Sequence, residues 1–525
     1  MNDFIMTKEG EKLLHRLYLR EGETCWDDLV NRVAHALGKD ESQVKQFKEL
    51  LLNFYFLPGT PTLVNAGMPK GQLSSCFVIP VEDDLESIFE AIKCMALIHK
   101  TGGGTGFSFS KLRENGAPVG PRAGCASGPV SFMRVFNAAS EEIKQGGMRR
   151  GANMSCLLID HLDIIEFIMA KGDKKSFGNF NFSVMIPDSF FQALKEDTMW
   201  KLKSRGGAPN KEIDPYQLWD LIATQAWNAG EPGVLFYDTI NRMNTLPDFK
   251  IEAVNACSEL PMLNWEACNL GSINLVKCVN LEGKFDWALL DSIVHEAVVF
   301  LNRVIDCNCF PFPQISKATL FTRKVGMGIM GLADALVLMR IKYGSDECIS
   351  FLDELMEFIS KQAWKTSVIL AEQRGAFEGF AHFHPYLSTH PVGKNVYNAT
   401  LTTIAPTGTI SILAGISTGI EPIFKLQYTR SDTAGVREVM HPLLYKIDRD
   451  KYKEFLVEAH QVSILDHLRV LAVIQKWTDN AVSKTINLPF SATILDIKDI
   501  YKWAYEMGCK GVTVFRYGSR EGVLS

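Results

Sequence analysis

From Pro58 onward, short apolar runs alternate with helical stretches, and this alternation limits the fold of the 525-residue chain more than any other feature. The runs are residues 76–80, 154–159, 182–186, 233–237, 272–276, 401–404 and 511–515. Among them, apolar residues recur at helical spacing over 85–99, 130–143, 289–305, 348–373 and 497–507. Alternation of this kind predicts one large α/β unit built on parallel strands, spanning 56–525. Ahead of it, Leu13, Leu14, Leu17 and Tyr18, then Leu29, Val30, Val33, Ala34 and Leu37, follow helical spacing and predict a short helical region over 1–55.

Composition removes several function classes. Hydrophobic residues at 46% and charged residues at 22% belong to a folded globular chain, not a disordered one. The net charge of -5 and the lack of a long basic run argue against duplex nucleic acid as a partner. The opening MNDFIMTKEGEKLLHRL carries charges where a secretion signal needs an apolar stretch, so a cytoplasmic location is expected. The longest uncharged stretch, 395–420, is too rich in Thr, Ser, Gly and Pro to span a membrane, and no membrane association is expected. Twelve scattered cysteines lack the dense spacing of a disulfide scaffold, leaving them as buried small residues or working thiols.

Familiar cofactor motifs fail. The run Gly102-Gly103-Gly104-Thr105-Gly106 puts Phe107 or Phe109 where a dinucleotide loop needs its last glycine, and no GxxxxGK[ST] loop exists. His295-Glu296 has no histidine at 299, and Cys307-Asn308-Cys309 has no second half, so no metal site is expected.

Three cysteine contexts survive. Asn255, Cys257 and Glu259, at spacing two, set an amide, a thiol and a carboxylate on one side of an extended or looped backbone, a pattern that also suits an ordinary loop with a solvated glutamate. Cys268 leads into one predicted strand, and Cys76, in Leu73-Ser74-Ser75-Cys76, begins another. Two such thiols on neighbouring strands of a parallel sheet can come within disulfide range.

Together these residues resemble the catalytic subunit of ribonucleotide reductase. The resemblance continues through Pro58–Gly67, the glycine run at 102–106, Gln145–Ala152, Ala405–Ser411 and Glu421 in Thr418–Pro422, in order along the chain. It implies a ten-stranded α/β barrel with the catalytic cysteine on an inner finger loop. It also implies reduction of a ribonucleotide, with Cys257 as the thiyl radical that takes the 3'-hydrogen, Glu259 as general base at the 3'-hydroxyl and Asn255 holding the sugar. Cys76 and Cys268 would protonate the leaving 2'-hydroxyl and supply two electrons, so each turnover needs an external thioredoxin- or glutaredoxin-type dithiol.

In the segment Pro406-Thr407-Gly408-Thr409-Ile410-Ser411, hydroxyls and the N–H groups of a following helix would cradle the substrate phosphate, although the same pattern suits a plain helix cap. By family position Thr60 and Ser75 join this substrate set. Asp83, Arg113, Gly147, Arg149 and Arg150 match positions that bind or relay a deoxynucleotide effector, and the helices over 85–99 and 130–143 resemble those that pair in homodimers. The 55 residues ahead of the barrel are too few for the nucleotide cone of many relatives, so on-off control by ATP and dATP is not expected.

Relatives fed by a metal-carrying radical subunit use adjacent tyrosines near the C-terminus, and this chain has no Tyr-Tyr pair. The stretch Gly508–Arg520 and the eleven-residue step from Cys257 to Cys268 instead resemble the class that depends on adenosylcobalamin (vitamin B12). The alternatives are a subunit needing a separate metal-containing radical generator and a silent nucleotide-sensing relative. The two-cysteine tail usual in the family has no counterpart after Cys509, so either the tail lies beyond Ser525 or a reductant reaches the internal pair directly.

Overall fold

The computed structural model describes residues 6–120, 124–145, 149–172, 176–432 and 435–519. After a short helical stretch over 8–18 come helices α1 (Trp26–Leu37) and α2 (Glu41–Leu52), and Asp40 caps α2 by accepting the Gln43 N–H. Their buried faces, including Leu29, Val33 and Phe47, dock on a later helix, where Phe47 meets the edge of Phe300 at 4.9 Å and Arg303 donates to the Leu37 carbonyl.

Ten strands then form one sheet: β1 (Phe56–Pro58), β2 (Cys76–Val78), β3 (Gly104–Ser108), β4 (Asn153–Leu158), β5 (Phe180–Ile186), β6 (Gly233–Phe236), β7 (Ala267–Asn274), β8 (Val325–Met330), β9 (Thr485–Leu488) and β10 (Gly511–Arg516). β2 to β6 run parallel to one another, as do β7 with β8 and β9 with β10. The two sets meet antiparallel at β2/β7 and β6/β10, and β1 extends the β2 side of β7. Single parallel bridges from Met327 to Thr402 and from Ile404 to Val482, just ahead of β9, close the ring. The expected ten-stranded α/β barrel with a helical lead-in is therefore the observed architecture.

Helices α3 (Leu85–Lys100), α4 (Gly128–Glu142), α5 (Pro215–Ala229), α6 (Trp287–Cys307), α7 (Asp346–Arg374), α8 (Ile464–Lys476) and α9 (Ile494–Glu506) contribute the outer layer. The five stretches with helical periodicity fall on α3, α4, α6, α7 and α9. No described helix is long and apolar enough to cross a membrane.

Strand expectations differ in two places. Residues 401–404 form only isolated bridges, because the Leu401 and Thr402 N–H groups turn to the Asp479 carboxylate instead of a ladder. The run 272–276 belongs to β7, which starts at Ala267 and ends at Asn274, whose side chain accepts the Val276 N–H and starts a 3-10 turn. β3 and β8 escape a periodicity reading because glycines interrupt them, and packing requires those glycines. A Cβ on Gly106 would lie 1.7 Å from the Val254 carbonyl, and one on Gly328 would lie 2.3 Å from the Thr403 carbonyl.

Candidate active site

A short antiparallel ladder, Ala253–Val254 against Pro261–Met262, carries a finger past the inner face of β3, in the space vacated at Gly106. Its tip is cross-braced by Asn255, whose N–H donates to the Leu260 carbonyl and whose Oδ1 accepts the Leu260 N–H. Ser258 holds φ 68°, so the tip turns through the left-handed region. Asn255 and Glu259 are buried, whereas Cys257 is exposed at the tip.

Cys76 and Cys268 lie directly opposite one another in the β2/β7 pair, which is antiparallel where parallel neighbours are expected from the sequence, because the two parallel strand sets meet here. Facing residues in an antiparallel pair have Cα atoms about 4.5 to 5.5 Å apart, inside the range of roughly 4.4 to 6.8 Å that a disulfide needs. None of the twelve cysteines is in a disulfide here. Asn255 Nδ2 donates to Cys76 Sγ at 3.0 Å, and Glu259 Oε1 lies 4.0 Å from the same sulfur. Four of the five residues read as catalytic therefore meet beneath the finger, with Cys257 above them at its tip.

The electrostatics follow from burial. Burial raises the Cys76 thiol well above its ordinary value, and Glu259, Cys257 and Cys268 push it the same way. Burial likewise raises Cys268, with Glu266 adding to it. Glu259 is pushed up to about 7 by burial, against the opposing pull of hydrogen bonds. Its Oε2 is buried without a hydrogen-bond partner among the described residues. A carboxyl poised near neutrality with an unpartnered oxygen can take or give a proton.

A cavity of about 780 Å³ reaches Cys257. Ala256, Cys257 and Ser258 form one wall; Pro406, Gly408 and Ser411 form another; Glu421 and Lys484 and the β10 residues Gly511 to Phe515 complete it. Of the expected phosphate segment, Pro406, Gly408 and Ser411 thus face the cavity. The Thr407 hydroxyl is occupied internally, accepting the Gly419 N–H at 2.7 Å, while Thr409 is the N-cap residue of a single-turn helix, Ile410–Ala414. Thr60 bonds to the Tyr18 hydroxyl at 3.0 Å, and Ser75 packs over Gly59 beside Cys76.

Asp83 and Arg113 meet each other: the Arg113 Nε donates to Asp83 Oδ2 at 2.7 Å and its backbone N–H to Oδ1 at 2.9 Å. Gly147 lies outside the described residues, and Arg149 and Arg150 are described only as backbone, paired with Gln145 and Lys144.

Three features have no motif in the sequence. Lys324 and Glu266 form a buried ion pair at 2.9 Å behind Cys268. Asp479 accepts from the Trp364 indole and from the Leu401 and Thr402 N–H groups, and bonds to His390. Asn181, on β5, bonds to the finger itself. Asn181, Glu266, Lys324, His390 and Asp479 all fall outside the apolar runs, so no local pattern marked them.

Among known proteins, the family model for the ribonucleotide reductase barrel domain matches residues 74–515, and that for the ribonucleotide reductase all-alpha domain matches residues 6–71. A Thermoplasma acidophilum protein named vitamin B12-dependent ribonucleoside-diphosphate reductase is 43% identical over 91% of this chain and 65% of its own length. A Mycobacterium tuberculosis protein of the same name is 39% identical over 98% of this chain and 79% of its own. A Chlamydia pneumoniae protein named ribonucleoside-diphosphate reductase subunit alpha is 30% identical over 79% of this chain and 47% of its own. The chain thus spans just under two thirds of the Thermoplasma protein.

Proposed function

The chain belongs to the ribonucleotide reductase family, and from that premise we propose that it reduces ribonucleoside diphosphates to 2'-deoxyribonucleotides with adenosylcobalamin as radical source. The observation that carries the chemistry is the convergence of Cys76, Asn255 and Glu259 beneath a finger whose tip bears Cys257, with Cys268 opposite Cys76. The B12 reading draws on the names of the Thermoplasma and Mycobacterium relatives.

In this reading the substrate ribose sits between Cys257 and the Cys76/Cys268 pair. Cys257, as a thiyl radical, removes the 3'-hydrogen. Glu259 takes the 3'-hydroxyl proton, which its value near 7 allows, and Asn255 helps orient the sugar. Cys76 and Cys268 protonate the departing 2'-hydroxyl, which leaves as water, and give two electrons to the sugar, so that the pair ends as a disulfide while Cys257 returns the hydrogen to C3'. A small dithiol protein of thioredoxin or glutaredoxin type restores the pair. The phosphates go to the Pro406–Ser411 segment, with Thr60 and Ser75 at the sugar end.

The cavity suits the cofactor in that it reaches the exposed thiol. Residues along Gly511–Phe515, with Lys484 and Glu421, would hold it. When bound, adenosylcobalamin supplies a carbon radical by cobalt–carbon homolysis. In this reading Asp83 and Arg113, with Gly147, Arg149 and Arg150, serve a deoxynucleotide effector, and the chain works as a cytoplasmic homodimer. We keep the division at residue 55 between helical lead-in and barrel.

Purified chain, a nucleoside diphosphate, dithiothreitol and adenosylcobalamin should yield deoxynucleotide without a second protein. Activity that appears only on adding a diiron or dimanganese subunit would replace the cobalamin reading with the metal-subunit one.

A further inference from the structure

The finger tip is held by groups from outside the finger on both sides of Cys257. On the far side, the Glu259 carbonyl accepts both the Thr403 hydroxyl at 2.6 Å and the Ala481 N–H at 2.9 Å. On the near side, the Ala256 carbonyl, one residue before the thiol, accepts Asn181 Nδ2 at 2.8 Å. Asn181 belongs to β5, whose other six residues are buried. Strand alternation puts Phe180, Phe182 and Val184 towards the helices and Asn181, Ser183 and Met185 towards the barrel interior. Asn181 and Ser183 both line the cavity that reaches Cys257.

An exposed side chain in a barrel strand has no packing reason to be an asparagine, and leucine or valine would suit the sheet better. The tip also needs an external tie, because Ser258 sits at φ 68°, a conformation that non-glycine residues seldom hold unaided. We propose that Asn181 is a positioning residue for Cys257: its amide fixes the Ala256 carbonyl and thereby the direction in which the thiol points. The proposal rests on the reading of Cys257 as the radical-bearing residue. Asn181 transfers nothing itself; it acts through the peptide preceding Cys257.

The test uses the full chain carrying Asn181→Leu and the near-isosteric Asn181→Asp, which lacks an N–H donor. Three measurements are made: kcat and KM for the nucleoside diphosphate, the rate of Cys257 alkylation by iodoacetamide read by peptide mass mapping, and Tm. The expected result is kcat reduced at least tenfold with KM within twofold, Cys257 alkylation changed at least threefold, and Tm close to wild type. Should the leucine variant fail to fold, the aspartate variant decides by the same criteria. A raised KM with kcat intact would make Asn181 a substrate contact and overturn the proposal, as would unchanged kcat and unchanged alkylation. If the wild-type chain forms no deoxynucleotide, the parent reading fails, and the alkylation rates still decide whether Asn181 sets the position of the thiol.

Discussion

Glu259 is where residue chemistry and protein burial are most tightly joined. With the carboxyl at about 7, kcat should rise with pH along a limb centred near that value, and Glu259→Gln should remove the limb together with nearly all turnover. The same shift has a stability consequence. Between the ordinary glutamate value and about 7 the folded chain holds a proton that the unfolded chain has lost, so stability falls as pH rises through this window. At pH 8 the full penalty is present, and Glu259→Gln should raise the unfolding free energy by up to roughly 3 kcal/mol while changing little at pH 4. Denaturant titrations of the two proteins at both pH values check this; a variant less stable at pH 8 would contradict it. Cys257→Ser should lower kcat on the order of a thousandfold or more with nucleotide affinity near normal, as measured by turnover and equilibrium binding.

At the scale of elements, the proposed chemistry depends on the β2/β7 pair and the β3/finger contact. Because Cys76 and Cys268 are cross-strand partners, a single turnover without reductant should leave them linked with little backbone movement. Peptide mapping should find that link in wild type and lose it in Cys76→Ser, whereas thiols that stay alkylatable would rule the pair out. Gly106 is the other control point, since a methyl group there would collide with the Val254 carbonyl. Gly106→Ala should displace the finger, cost ~1–3 kcal/mol in a denaturant titration and abolish turnover while Cys257 remains chemically present. In the sequence the glycine run at 102–106 is a failed dinucleotide loop and one segment of the family resemblance, and neither reading says why glycine is needed there. Its real reason is a close approach from a segment about 150 residues later, which local pattern cannot register.

Across the whole molecule, the two parallel strand sets run antiparallel to each other and enclose the finger, with α3 and α4 outside. α3 leaves Leu85, Phe89 and Leu97 exposed, at 64%, 54% and 41%, and α4 adds Val135 at 40%. Exposed apolar side chains on two helices that pack together are costly to leave in water and support the homodimer reading. Sedimentation should show a dimer at micromolar concentration that Phe89→Glu converts to monomer; a wild-type monomer under those conditions would refute this.

The sequence by itself determined the element alternation, the resemblance that names the thiols, and the residue types needed for radical reduction, because these depend on local order and on motifs read along the chain. Five of the helices and most of the barrel strands were legible for that reason. Tertiary structure alone decided that Cys76 faces Cys268, that Glu259 is neutralised upward by burial, that Asp83 pairs with Arg113, and that Asn181 holds the peptide before Cys257. Each of these joins residues 30 or more positions apart or depends on how completely water is excluded, and neither separation in space nor dielectric environment is written in a one-dimensional pattern.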